Sequence, residues 1–158
     1  MRMELVRIDD RLIHGQIVIA WSKAIPVERI VVIDNQTAQN LIHKILLETV
    51  SPPGVKLSIF DVTQGIQWLQ RDRFPEEKVL LLVTKPATIL ALVESGQGIS
   101  KVNVGGMSFS PGKTRLTKTV AIDDTDKHAF RELHKRGITL QIQILPTDIP
   151  LDVMTQIQ

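Results

Sequence analysis

Apolar and polar positions along the chain follow two periods in turn, one near 2 residues and one near 3.6. Leu5-Val6-Arg7-Ile8 reads as a first strand. Gln16 to about Ala24 reads as a helix with Ile17, Ala20, Trp21 and Ala24 on one stripe. Ile30-Val31-Val32-Ile33 is short and continuously apolar, as a strand buried on both faces would be. Leu41, Ile42, Ile45, Leu46 and Thr49 give a second helical stripe, which Pro52-Pro53-Gly54 stops. Val55 to Phe60 alternates as a third strand, and Thr63 to about Gln70 gives a short helix carrying Ile66 and Leu69. Val79-Leu80-Leu81-Leu82-Val83 is the most apolar run and is expected at the centre of the sheet.

Pro86 suits the first position of the next helix, which carries Ile89, Leu90 and Val93 and closes at Gly96. Lys101-Val102-Asn103-Val104 is a fifth strand, ending at Gly105-Gly106. Met107 to Lys118 is irregular, with a turn at Pro111-Gly112. Val120-Ala121-Ile122 follows as a short strand. Asp123 and Asp124 then offer capping oxygens to a helix that runs through Phe130 and Leu133 and ends at Gly137. Thr139 to Leu145 alternates as the last strand, and the tail from Ile149 to Gln158 is expected to hold one or two helical turns. This alternation predicts an α/β fold: one domain over residues 1–158, with an open, mostly parallel sheet and helices on both faces.

Composition narrows the function classes. Apolar residues are 43% of 158, enough for one core and too many for a disordered chain. No apolar run approaches the length of a membrane span. Met1-Arg2-Met3-Glu4 passes straight into a strand pattern, which leaves no room for a signal peptide. Cysteine is absent, which excludes disulfides and thiolate chemistry and fits a cytoplasmic location. A net charge of +2, no block of like charges and 4% aromatic residues argue against a nucleic-acid partner. A modest basic face would instead steer an acidic protein.

The chemistry gathers in Arg7-Ile8-Asp9-Asp10-Arg11-Leu12-Ile13-His14-Gly15-Gln16, where the first strand gives way to the first helix. Ligands of open α/β sheets collect outside the carboxyl ends of the strands. His14 would sit there, near the start of a helix whose free N–H groups and dipole favour negative charge. An imidazole is largely neutral and nucleophilic near pH 7. Arg11 or Arg7 would present a forked cation to a phosphate. Asp9 or Asp10 would accept a hydrogen bond from one ring nitrogen, or hold an arginine in place. Gly15 would let the backbone approach. These residue types also suit plain turn, cap and surface roles. As a set, they read as a phosphoryl carrier.

Other constellations are weaker. Between Gly106 and Gly112-Lys113-Thr114 lie five residues, where a nucleotide-binding P-loop needs four. The first turn has one glycine, not the three of a dinucleotide fingerprint, so Asp34 reads as a helix cap. Gly105-Gly106 either lines the phosphohistidine pocket or makes a tight turn. His43 reads as structural. His128 and His134 are six apart, which does not put two metal ligands on one helix face, and they read as solvated. Trp21 reads as core rather than as a sugar-stacking platform. Lys113, Arg115 and Lys118 form a loose basic group suited to a partner or to solvent. No metal and no cofactor are expected.

The segment from Arg7 to Gln16, with Trp21 downstream, resembles the active-site loop of the IIB component of the mannose-family (mannose–fructose–sorbose) sugar phosphotransferase system. Asn103-Val104-Gly105-Gly106-Met107, then Pro111-Gly112-Lys113 and Leu116-Thr117-Lys118, and finally Phe130-Arg131-Glu132-Leu133 extend the resemblance nearly end to end. One departure is Asp34-Asn35, where the family commonly has the reverse order. The resemblance implies that His14 takes a phosphoryl group from phosphohistidine on a separate IIA protein. His14 then passes it to a sugar entering through the membrane IIC and IID subunits. It places Arg11 and Asp10 beside His14 as catalytic residues. Arg7, Asp9, Gly15, Gln16, Gly105, Gly106 and Lys113 form the surrounding phosphate- and partner-binding set. It further implies a cytoplasmic protein at the membrane subunits and a possible homodimer. The competing reading is a non-catalytic regulatory module that binds a phosphoprotein.

Overall fold

The strands are β1 (Arg2–Asp9), β2 (Arg29–Ile33), β3 (Lys56–Phe60), β4 (Lys78–Val83), β5 (Lys101–Gly106), β6 (Thr114–Arg115), β7 (Ala121–Ile122), β8 (Thr139–Ile142) and β9 (Leu151–Asp152). The helices are α1 (Gly15–Ala24), α2 (Asn35–Ala38), α3 (Leu41–Val50), α4 (Val62–Gln70), α5 (Pro86–Glu94), α6 (Asp124–Lys135) and α7 (Val153–Gln156). The structure, a computed structural model, describes residues 1–71 and 76–157, without the side chains of Gln16 and Ile17.

One seven-stranded sheet runs β3-β2-β4-β1-β5-β8-β9. All its pairings are parallel except β8 with β9. The middle place belongs to β1. The very apolar β4 lies one strand away, because β1 pairs with β4 on one side and β5 on the other. The carboxyl end of β1 is thereby set in the middle of the sheet's reactive edge. The missed strands β6 and β9 are two residues each, too short to show a period.

Period-2 alternation splits the strand residues between two cores. Val6, Ile8, Val31, Ile33, Leu81 and Val104 face a large cluster with Ile89, Leu92, Phe130 and Leu133 of α5 and α6. Ile30, Val32, Leu80 and Leu82 face a smaller one with Leu12, Ile13, Val18, Trp21 and Leu47. Helices therefore cover both faces, as the sequence pattern predicts. Each buried branched side chain contributes roughly 1.5–3 kcal/mol.

The α3 stripe departs from expectation. Leu41, Ile42, Ile45 and Leu46 are 52–73% exposed, and only Leu47 of that helix is buried. Hydrophobic spacing fixes which residues share a face. It does not fix which face meets the sheet. The cap assignments hold: Asp34 begins α2, accepting from the Thr37 N–H at 2.9 Å and its hydroxyl at 2.7 Å. Burial acts most strongly on the Asp34 carboxyl and pushes its pKa up. The bonds from Thr37 and Thr84, with Lys85 nearby, outweigh burial and hold the pKa below the usual value. No helix of the described residues is long and apolar enough to cross a membrane.

Candidate active site at the β1–α1 turn

Strand alternation puts Arg7 and Asp9 on the same side of β1. Asp9 is wholly buried and Arg7 is 1% exposed. Arg7 Nη2 donates to Asp9 Oδ2 at 3.2 Å, and Nη1 donates to the Gln143 carbonyl at 2.9 Å and to Asn103 Oδ1. The guanidinium also lies 5.6 Å from the centre of the Trp21 ring, whose Nε1–H donates to the Ile144 carbonyl at 2.9 Å. Burial pulls the Arg7 pKa down, and the Asp9 charge opposes it. A buried ion pair is tolerable only when its polar groups are also hydrogen-bonded, and here most of them are.

Two glycines make room for this arrangement. A Cβ on Gly105 would fall 1.9 Å from Arg7 Nη2 and 2.1 Å from Cζ. A Cβ on Gly106 would fall 3.2 Å from Asp9 Oδ1. Neither glycine forms a tight turn; both continue β5, where Gly106 pairs with Asp9.

Beyond Asp9 the chain turns, and the Leu12 N–H donates to the Asp9 carbonyl at 2.9 Å. Leu12 adopts the left-handed region (φ 58°), and Gly15 does so at φ 48°. The non-glycine in that region is strained, and its buried side chain holds it there. His14 is the extended residue that caps α1, with no side-chain bond to the helix. Its Nε2 lies 2.9 Å from Asp9 Oδ2, and its side chain is 19% exposed. Asp9 Oδ1 accepts from the Arg11 N–H at 3.1 Å, and Arg11 Nε lies 3.9 Å away, with a 57% exposed side chain. One buried carboxylate thus carries His14 on one oxygen and Arg11 on the other.

Of the predicted residues, His14, Asp9 and Arg11 meet directly. Arg7 is not at the surface and cannot touch a bound phosphate; it anchors Asp9. Asp10 points to the other side. Its carboxylate accepts from the Ser108 N–H at 2.6 Å and hydroxyl at 3.0 Å, while its own N–H donates to the Gly106 carbonyl at 3.0 Å. Asp10 therefore clasps the loop to the end of β5 instead of contacting the imidazole. Gly15 opens α1, and the side chain of Gln16 lies outside the described residues. Lys113 is drawn off to Asp126, at 3.9 Å. His43 stands 3.3 Å from the Thr37 hydroxyl, a structural contact, and His128 and His134 are exposed.

Asn103 and Ser108 were not singled out from sequence as site residues. Asn103 had a signal: it is a polar residue inside an apolar strand, and it pairs in register with Arg7, the other such residue. Ser108 had none, since it lies in an irregular segment.

With Asp9 as acceptor, Nε2 carries the ring proton, so the neutral imidazole keeps its lone pair on Nδ1. The arrangement can present a nucleophilic nitrogen beside an exposed guanidinium and stabilise positive charge developing on the ring.

Known proteins match nearly the whole chain. The family model for the PTS system sorbose subfamily IIB component matches residues 3–158. The sorbose-specific EIIB component of Lacticaseibacillus casei is 40% identical over 99% of this chain and 96% of that protein. The mannose-specific EIIAB component of Escherichia coli (strain K12) is 42% identical over 98% of this chain, which spans 48% of that longer protein. The crystal structure of the IIBSor domain of the sorbose permease from Klebsiella pneumoniae superposes with a TM-score of 0.96 at 35% identity, covering 99% of this chain and 96% of that one. The chain belongs to the sorbose-subfamily IIB components of the phosphotransferase system.

Proposed function

We propose that this IIB component is a phosphoryl carrier whose carrier atom is Nδ1 of His14. The observation that carries the reading is the 2.9 Å contact between Nε2 and the buried Asp9, which leaves Nδ1 as the nitrogen with a free pair. That pair attacks the phosphorus of phosphohistidine on the IIA protein. The old P–N bond breaks and its electrons stay on the donor ring. In the second transfer, the hydroxyl oxygen of a sugar held by the membrane IIC and IID subunits attacks the same phosphorus. The Nδ1–P bond breaks, its electrons return to the ring and the hydroxyl proton is released. Asp9 offsets positive charge on the imidazole in both steps, and Arg11 offers its exposed fork to the phosphoryl oxygens. No metal or other cofactor enters. The protein works in the cytoplasm, docked at the membrane subunits.

Incubation with phosphorylated IIA should give one acid-labile phosphoryl group per chain, located on Nδ1 by nitrogen-resolved NMR. A label on Nε2 would overturn the proton assignment. A tight complex with no transfer would instead support the regulatory-module reading.

A homodimer also belongs to the proposal. The outer face of α3 is apolar and therefore self-complementary, as a twofold interface requires. Sedimentation at the mass of a single 17.7 kDa chain would refute it.

A further inference from the structure

Beside the His14 loop lies a cavity of about 390 Å³ that the transfer chemistry does not use. Arg11, Arg115 and Lys118 line it, together with Asp10 and Phe109. Its one carboxylate is already occupied, since both Asp10 oxygens accept from Ser108. Arg115 and Lys118 are exposed and form no ion pair among the described residues. Phe109 is 49% exposed, and the Arg115 guanidinium lies 4.5 Å from its ring centre. An arginine held over a half-exposed aromatic ring is the composition typical of interface hot spots.

We infer that this cavity is the docking socket for the phosphoryl donor protein. It receives an acidic side chain from beside the donor's phosphohistidine, while Phe109 packs against an apolar neighbour. The inference rests on the proposed function and extends it to the partner surface. Charge selects the donor over the acceptor. The donor arrives carrying an anionic phosphoryl group, whereas at the second transfer that charge already sits on His14 and offsets the cations of the cavity. The socket shares Asp10 and Arg11 with the reactive loop, so whatever sits in it lies alongside the loop that carries His14. Once the phosphoryl group moves onto His14, its negative charge offsets the cations around it. The spent donor is then held less tightly and leaves.

The test uses the full chain and purified IIA protein phosphorylated beforehand on its histidine. Replacing the two cations together (R115S with K118S) should raise KM for the donor roughly tenfold, leave kcat near its original value and flatten the dependence on salt. F109S should raise KM without altering the salt slope. Labelling of His14 by phosphoramidate, a small donor that needs no docking, should be unchanged in all variants. An unchanged KM and salt slope, with normal phosphoramidate labelling, would overturn the socket. So would saturable binding of a sugar phosphate in the cavity with KM for the donor unaffected. If the unaltered protein takes phosphate from phosphoramidate but never from phosphorylated IIA, the proposed function and the socket fall together.

Discussion

A His14→Ala protein will take up no phosphoryl group from phosphorylated IIA and deliver none to sugar, while its melting temperature falls only slightly. Among the described residues the side chain's one hydrogen bond is to Asp9 Oδ2, and that oxygen keeps its bond from Arg7 Nη2 when the ring is removed. A bond to a charged group is worth about 1.5–3 kcal/mol, and the lower end, for this part-exposed ring, is roughly 3–6 °C for a chain of this size. The core does not depend on it, because the ring is part-exposed and makes no capping bond to α1. The neighbouring groups are already engaged: Asp9 holds Arg7 and the Arg11 N–H, the Ser108 hydroxyl donates to Asp10, and the Arg11 guanidinium is no nucleophile. Phosphate transfer by the His14→Ala chain at even a tenth of the original rate would show that another group carries it.

Gly105→Ala will have the opposite profile, a large loss of stability from a single added methyl group. The new Cβ would meet the Arg7 guanidinium at 1.9–2.1 Å, far inside contact distance. Neither side yields easily. β5 is paired with β1 on one edge and β8 on the other, so the backbone cannot retreat. The guanidinium has Asp9, Asn103 and the Gln143 carbonyl at its edges and Trp21 nearby. Driving it from Asp9 leaves a buried charge uncompensated, at a cost of about 3–5 kcal/mol, or roughly 6–20 °C in melting temperature. The double variant decides the cause. In an Arg7→Ala background the space is already empty, so the added methyl should cost little there. If the two losses simply add, close approach to Arg7 is not the reason for glycine at this position.

The β1–α1 turn was legible because its residue types are unusual together, and its place at the reactive rim followed from strand–helix alternation. The division of labour between the carboxylates was also readable in principle. Arg7 and Asp9 are two apart on a strand and so share a side, whereas Asp10 lies past the strand's end. Burial of Arg7 was not readable from its own neighbourhood. A single charged residue in a strand resembles a solvent-facing position until Asn103 and Gly105, nearly a hundred residues away, are placed against it. Long-range register decides that, and one sequence does not print it. The same limit applies to α3, whose apolar stripe is real but faces outward.

The Asp10 clasp has a consequence for timing. The Ser108 bonds and the Gly106 carbonyl tether the turn at Asp10 to a strand in the interior of the sheet, so the loop that carries His14 is anchored there before any visitor arrives. If His14 carries phosphate as proposed, neither partner must first build that end of the turn, and turnover should then follow how often the proteins collide.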